Sequence, residues 1–369
     1  MKTWLTYLVA GLLGILSRSV FGDVSKACSV IVSLLSIASV PLVSIPLAAG
    51  VASSIKKGRT RSPKSFLLFI LFSFVAGLLC SLSGAVATSL ISYPFSVSLV
   101  RSASSFSLKI PALVWAILLA IIVGFSFRPT SKIYIPAYNA LNSLSEVCYR
   151  LMKGLSRFFF IFIFFFATSF TVNFESVLSL ICFALFLTLV LIPLTFAVFT
   201  GFKVNPYLVF MRFLPSMLCA FFSSSFSVSL SPLYTNARSN MGIQKKTVSQ
   251  TVPLSLFLCR GGSAAFTSFI VVSVLSSSSL SMKILIVLIS VLVSLLCPFN
   301  AGFEVLFTVT VSLRILGYED TQALISLSSI LPILSSLCMM TDVEISGFAS
   351  AYTAHKKGVM CRICANDLV

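Results

Sequence analysis

The chain has 369 residues, of which 58% are hydrophobic and only 9% are charged. A soluble globular domain carries about 25% charged residues, so this composition excludes a cytosolic enzyme, a disordered protein and an ordinary nucleic-acid binder. Lysine and arginine total 26 against 9 acidic residues, a net charge of +17, and these basic residues lie mainly between apolar stretches. The charge pattern indicates membrane topology, because positively charged loops remain in the cytoplasm.

Eight apolar stretches are long enough to cross a bilayer, which takes about 20 residues. The first stretch resembles a signal peptide, but no clear small-residue cleavage site follows it, so we interpret it as a transmembrane helix. Several stretches exceed a perpendicular span, which implies tilt or extension into water. In chain order they cover residues 4–22, 27–55, 65–92, 110–127, 135–172, 176–201, 243–275 and 321–354.

Two further apolar stretches are interrupted near their middle. Residues 206–238 contain SSSFSVSLSP, and residues 282–315 contain CPFNAG. Interrupted apolar segments in matching places favour re-entrant hairpins around a binding site, because non-helical backbone at membrane depth must be satisfied by protein or a water cavity. We therefore expect an all-α polytopic membrane protein with eight transmembrane helices and two re-entrant helical hairpins.

The distribution of positive charge predicts the orientation of the chain. With the N-terminus inside, 19 basic residues fall on the inner side and 6 on the outer side, and only Arg260 is left within the membrane. This asymmetry predicts a multi-pass protein of the plasma (inner) membrane with both termini cytoplasmic. Residues 355–369 then form a cytoplasmic tail that contains Cys361 and Cys364. With His355 as the only histidine, we expect no metal site there, and incidental thiols or palmitoylation fit the pair better.

Several segments of the chain match one known protein family in their order and spacing. They are PLVSIPLAAGVASSI (41–55), NALNSLSEVCYRLMKGLSRF (139–158), GFKVNPYLVFMRFLPSMLCAFFSSSF (201–226) and ISGFASAYTAHKKG (345–358), with Pro232, Met241-Gly242-Ile243 and Val252-Pro253-Leu254 between the last two. These segments resemble the dicarboxylate/amino acid:cation symporters, the glutamate transporter homologues. In that family they are similar to the second helix, the fifth helix, the end of the sixth helix with the start of the first hairpin, and the eighth helix.

This resemblance implies one transporter unit over residues 1–369 that forms a homotrimer. Residues 1–64 and 110–172 would be mainly scaffold, and residues 65–92 and 176–354 would be mainly a moving transport domain. The implied function is secondary active transport (symport) of a small polar solute, such as an amino acid or a dicarboxylate. A degenerate homologue acting as a channel, receptor or structural subunit is the alternative. No motif supports an enzyme, a cofactor or a nucleic-acid partner.

The chain departs from the family pattern at the positions that bind solute and ion. The family breaks its seventh helix with Asn-Met-Asp-Gly-Thr, whereas residues 259–263 read Cys-Arg-Gly-Gly-Ser. The first hairpin tip, Ser-Ser-Ser-Gly-Thr in the family, reads Phe-Ser-Val-Ser-Leu at 226–230, and the Gly-rich second tip reads Pro-Phe-Asn-Ala-Gly at 298–302. The family's Asp, Arg, Asn and Asp on the eighth helix are here Ile333, Ser336, Met340 and Glu344.

These departures predict an altered substrate and a coupling that uses no sodium or uses protons, with the ion itself left open. Candidate coupling residues are Arg260, Glu344 and Asp342. An unpaired charge at bilayer depth costs at least about 2.5–3.5 kcal/mol, so Arg260 must face an acid or a cavity. The candidate substrate-binding residues are Ser227, Ser229, Arg260, Ser263, Ser336 and Met340.

Helical geometry separates the acidic candidates. Ile333, Ser336, Met340 and Glu344 are spaced to share one face of the eighth helix, and the resemblance implies that this face lines the site. We therefore expect Glu344 to pair with Arg260 across the contact between the seventh and eighth helices. Asp342 is two residues away, about 200° around the helix, and is expected to anchor that helix near the seventh helix or the second hairpin. Glu304 follows the second hairpin break, and we favour the reading in which it does not line the site. Ser227 and Ser229 alternate with apolar residues, as in an extended hairpin tip.

Overall fold

The computed structural model describes residues 3–21, 25–55, 61–90, 112–126, 135–168, 174–275, 279–296, 304–318 and 330–359. Nearly all of these residues are helical. Two π-helical turns, Leu187–Leu191 and Asn236–Asn240, follow α6 and α9. The α-helices are α1 (Thr3–Phe21), α2 (Ser25–Ile55), α3 (Arg61–Leu90), α4 (Ala112–Ser126), α5 (Ile135–Thr168), α6 (Phe174–Phe186), α7 (Ile192–Thr200), α8 (Pro206–Ser223), α9 (Phe226–Thr235), α10 (Lys245–Leu258), α11 (Gly261–Val274), α12 (Leu280–Leu295), α13 (Glu304–Ile315) and α14 (Leu331–Lys357).

Seven stretches within the described residues are helical, long and apolar enough to cross a membrane. Six of them coincide with spans that the sequence predicts, from α2, α3, α5, α6 with α7, α10 with α11, and α14. The seventh is α8, which we had placed in the first hairpin. Among the described residues, α1 contributes only a shorter apolar segment, Leu5–Ser17, and α4 has 15 residues. The protein is therefore a polytopic membrane protein; the set of eight spans stays a prediction.

The helices pack into two neighbouring groups. In the first group, α5 contacts α1 and α2, and α2 contacts α4. In the second group, α14 is surrounded by α3, α7, α8, α10, α11 and α13. The two groups meet where α8, α9 and α10 contact α1, α2 and α5. In the most apolar part of α14, 83% of the residues are buried, so this helix lies at the centre of the second group. Phe72 of α3 stacks on Tyr352 of α14 with ring centroids 5.3 Å apart, which fixes one side of that core.

The first interrupted segment turns earlier than the sequence predicts. Helix α8 ends at Ser223; the next residue, Ser224, has a φ of 47° in the left-handed region, and Ser225 is extended before α9 begins. The tip expected at 226–230 is therefore wrong, and Ser227 and Ser229 are helical. The reason is local: both arms are apolar enough to continue as helix, so only the two-residue link leaves helical geometry.

The second interrupted segment consists of α12 and α13, which pack against each other and against α11. The predicted break at 298–302 lies outside the described residues, as do Cys361, Cys364 and residues 319–329. Thr267 of α11 and Thr308 of α13 are joined by a hydrogen bond of 2.6 Å between their Oγ1 atoms. This contact holds α13 against the helix that follows Arg260.

Candidate functional site

The candidate site lies where the buried helix pair α10 and α11 is interrupted. Cys259 (φ −97°, ψ 61°) and Arg260 (φ −109°, ψ 32°) leave helical geometry between the two helices. Two glycines follow and allow α11 to begin in close contact with its neighbours. A Cβ at Gly262 would overlap Thr341 Oγ1 of α14, so only glycine fits this approach. The interruption therefore brings the free backbone N–H groups of α11 directly against α14.

Arg260 is 2% exposed and contacts this interior through its guanidinium group. Its Nη1 donates to Glu304 Oε2 at 2.6 Å and lies 3.6 Å from Asp342 Oδ2. Its Nε donates to the Leu256 carbonyl oxygen at 2.8 Å, and its guanidinium carbon lies 5.0 Å from the centroid of the Phe226 ring. The charge at the interruption is thus paired with carboxylates, which is the condition for keeping it in an apolar interior.

Asp342 joins α14 to the start of α11. Its Oδ1 accepts from the backbone N–H of Gly262 at 2.7 Å and of Ser263 at 3.2 Å, and its Oδ2 accepts from Ser263 Oγ at 2.6 Å. A carboxylate at a helix N-terminus satisfies orphan donors and is favoured by the helix dipole. Asp342 therefore contacts the interrupted helix, one of the two contacts expected from the sequence, and it also faces Arg260.

The predicted partnership of Arg260 with Glu344 is wrong. Glu344 is completely buried, and neither of its carboxylate oxygens has a hydrogen-bond partner among the described residues. The face of α14 that meets Arg260 carries Asp342, and two residues turn a helix through about 200°. Glu304 takes the place that we assigned to Glu344, because packing of α13 on α11 brings the first residue of α13 to the guanidinium.

The serine candidates divide into two sets. Ser336 Oγ lies 2.6 Å from Ser224 Oγ, and Ser263 Oγ accepts from Cys338 Sγ at 3.3 Å, so both lie among α8, α11 and α14 around the interruption. Met340 of α14 is half-buried and packs against the main apolar core.

Ser227 and Ser229 lie on α9 and are not arranged as an extended ligand-binding tip. Ser229 Oγ donates to the Phe226 carbonyl oxygen at 2.7 Å, an internal helix contact. Ser227 Oγ lies 3.1 Å from Ser225 Oγ, and Ser227 lines an apolar cavity whose walls include Met152 and Phe159 of α5.

A small cavity adjoins Arg260 between α3, α11 and α12. Ser73, Gly77, Gly261 and Ser294 contribute to its wall together with apolar side chains. Ser73 Oγ lies 3.2 Å from Cys259 Sγ, which ties α3 to the interruption. Within the described ranges, no group of three or more His, Cys, Asp or Glu residues is arranged to hold a metal ion.

Sequence reasoning missed two contributors to this site. Ser224 meets Ser336, although it precedes the tip that we predicted, and Glu304 pairs with Arg260, although we favoured placing it outside the site. A sequence signal existed for Glu304: it is an acid in an apolar segment, and such residues usually mark function or pairing.

Comparison with known proteins agrees with the architecture. No curated protein gives a significant match to the chain. A family model described as the sodium:dicarboxylate symporter family matches residues 1–355. Because this match covers almost all of the 369 residues, the chain belongs to the sodium:dicarboxylate symporter family.

Proposed function

We propose that the protein is a secondary active transporter of a small polar solute in which a fixed guanidinium takes the place of a bound cation. The observation that carries the proposal is the position of Arg260 Nη1, 2.6 Å from Glu304 and 3.6 Å from Asp342 at the interruption between α10 and α11. Family membership supports symport in general.

The local chemistry supports transport without sodium. A sodium ion needs several oxygen ligands, and the side chains of Cys259 and Gly261 supply none where the family has an amide and a carboxylate. The nearby carboxylates are already engaged: Glu304 with Arg260, and Asp342 with three donors of Gly262 and Ser263. A cation would have to displace an ion pair that is 1% exposed on both sides.

The solute differs from an acidic amino acid in this proposal. Ser336 occupies the position at which the family has an arginine that binds the side-chain carboxylate of an acidic substrate. Ser263 provides a hydroxyl group beside Asp342. Arg260 is the one basic side chain buried in the described part of the chain, and it is already bonded to Glu304. Neutral polar solutes therefore suit the site better than dicarboxylates.

The wider organisation is part of the same proposal. The two helix groups would act as scaffold and transport domain, in a homotrimer of the plasma (inner) membrane with both termini cytoplasmic. The contacts of α9 and α10 with α2 and α5 would form the sliding boundary. Ser231 Oγ of α9, which donates to the Met152 carbonyl oxygen of α5 at 2.9 Å, is one bond that such a movement must exchange.

The test is uptake by purified protein in proteoliposomes. A thermal-shift screen of amino acids, dicarboxylates, nucleosides and vitamins first selects ligands, each with sodium and with choline. Selected compounds are then measured as radiolabelled uptake in both salts at fixed pH. Equal uptake in the two salts is expected. Uptake that falls to background in choline and returns with sodium would overturn the role given to Arg260. Absence of uptake for every ligand would favour a non-transporting homologue.

A further inference from the structure

The buried interior of the protein contains more acidic than basic groups. Among the described residues, the buried charged side chains are one base, Arg260, and three acids, Glu304, Asp342 and Glu344. Arg260 bridges the first two acids, and the N-terminus of α11 further stabilises Asp342. Glu344 shares in none of these contacts, so its charge has to be balanced in another way.

The described residues around Glu344 offer its carboxylate no hydrogen-bond partner. The residue is 0% exposed, and both oxygens are without a hydrogen bond in the described part of the protein. Cys80 of α3 is a titratable neighbour of Glu344. The other titratable side chains on the described elements that pack against α14 form no hydrogen bond or ion pair with Glu344: Cys182, Tyr207, Arg212, Cys219, Tyr234, Arg238, Lys245, Lys246, Glu304 and Arg314.

Burying an ionised carboxylate without a partner has a high free-energy cost. Removing a carboxylate from water without a partner costs several kcal/mol even after relaxation, and a buried group in that position neutralises instead. A metal cation would need several oxygen ligands arranged around it, whereas a proton needs only one carboxylate oxygen. Ionisable residues inside transporters that have no structural partner also commonly mark proton relays.

We propose that Glu344 is a proton-binding site, and that it carries the proton that couples to solute movement. In the conformation described here, one proton from the water is bonded to a carboxylate oxygen and the side chain is neutral. When that face of α14 becomes hydrated, the O–H bond breaks, the electron pair stays on the carboxylate and the proton returns to water. The carrier role rests on the proposed transport function; the proton-binding role does not.

Infrared spectroscopy of the purified protein in lipid tests the proton site directly. A protonated carboxylic acid gives a carbonyl band at higher frequency than a carboxylate, and the band shifts in heavy water. We expect this band at neutral pH in the wild type and in the Glu146→Gln control, which removes an acid that is 33% exposed and ion-paired. The band should be lost in Glu344→Gln. A full-strength band in Glu344→Gln would overturn the proposal.

A second variant protects the test against misfolding. Glutamine matches a neutral glutamic acid in shape, so Glu344→Gln should melt close to the wild-type temperature. If it does not fold, Glu344→Asp is measured, because a displaced carboxylic acid must change the frequency of the band. An unchanged frequency in Glu344→Asp would equally rule out Glu344 as the source.

The carrier role is tested with the solute found in the uptake screen. An inward proton gradient should accelerate wild-type uptake several-fold, and Glu344→Gln should lose this acceleration while still exchanging solute between the two sides without a gradient. Equal acceleration in both proteins would refute the carrier role. If no solute is transported by the wild type, the proposed transport function fails and the carrier role fails with it, whereas the infrared band still decides whether Glu344 holds the proton.

Discussion

Removal of the Arg260 charge is the most informative perturbation of this interior. Replacing Arg260 by methionine breaks an ion pair in which both side chains are 1% exposed and the donor and acceptor lie 2.6 Å apart. Breaking a buried pair by deleting one partner costs about 3–5 kcal/mol, because the other charge is left uncompensated. Asp342 keeps its three hydrogen bonds to the start of α11, so most of the cost should come from Glu304.

The measurement is a double-mutant comparison of unfolding free energies for the purified protein in lipid or detergent. Adding Glu304→Gln to Arg260→Met removes the uncompensated charge of Glu304. It should recover about 0.5–3 kcal/mol of unfolding free energy, the range of interaction energies seen for contacting residues. Adding Glu344→Gln to Arg260→Met is the matched control and should recover nothing through Arg260, because Glu344 has no bond to it. Recovery by Glu344→Gln with none from Glu304→Gln would refute the assignment of the pair.

Three further outcomes are expected. Gly262→Ala should prevent α11 from approaching α14 and abolish stable folding, whereas Gly154→Ala, whose Cβ would meet nothing within 4 Å inside α5, should keep or slightly raise the melting temperature; equal behaviour of the two variants would contradict the close approach. Glutamate and aspartate should not bind at micromolar concentration, because Ser336 replaces a charged partner worth about 1.5–3 kcal/mol; saturable micromolar aspartate uptake would contradict this. Cys361 and Cys364 should resist membrane-impermeant thiol reagents in intact cells, and rapid external labelling of both would reverse the predicted topology.

Local sequence determined the membrane class and the helical composition. Hydropathy over about 20 residues decides whether a segment crosses a bilayer, and that property is local. The interruption was expected from the family resemblance, which aligns residues 259–263 with the break in the seventh helix, and the structure places it at Cys259 and Arg260. The family resemblance was likewise carried by order and spacing along the chain.

Tertiary structure alone decided which charges meet. The partner of Arg260 lies 44 residues further along the chain, and the donors of Asp342 lie about 80 residues before it. Spacing on one helix shows which acids share a face. It does not show which face of α14 turns toward α11, or where the first residue of α13 lies relative to both helices. Glu304 reaches the guanidinium because α13 packs on α11, while Glu344, at the position that the family pattern favoured, is buried without a hydrogen-bond partner among the described residues. Pairing of buried charges depends on the relative rotation and depth of separate helices, and those are set only when the whole bundle packs.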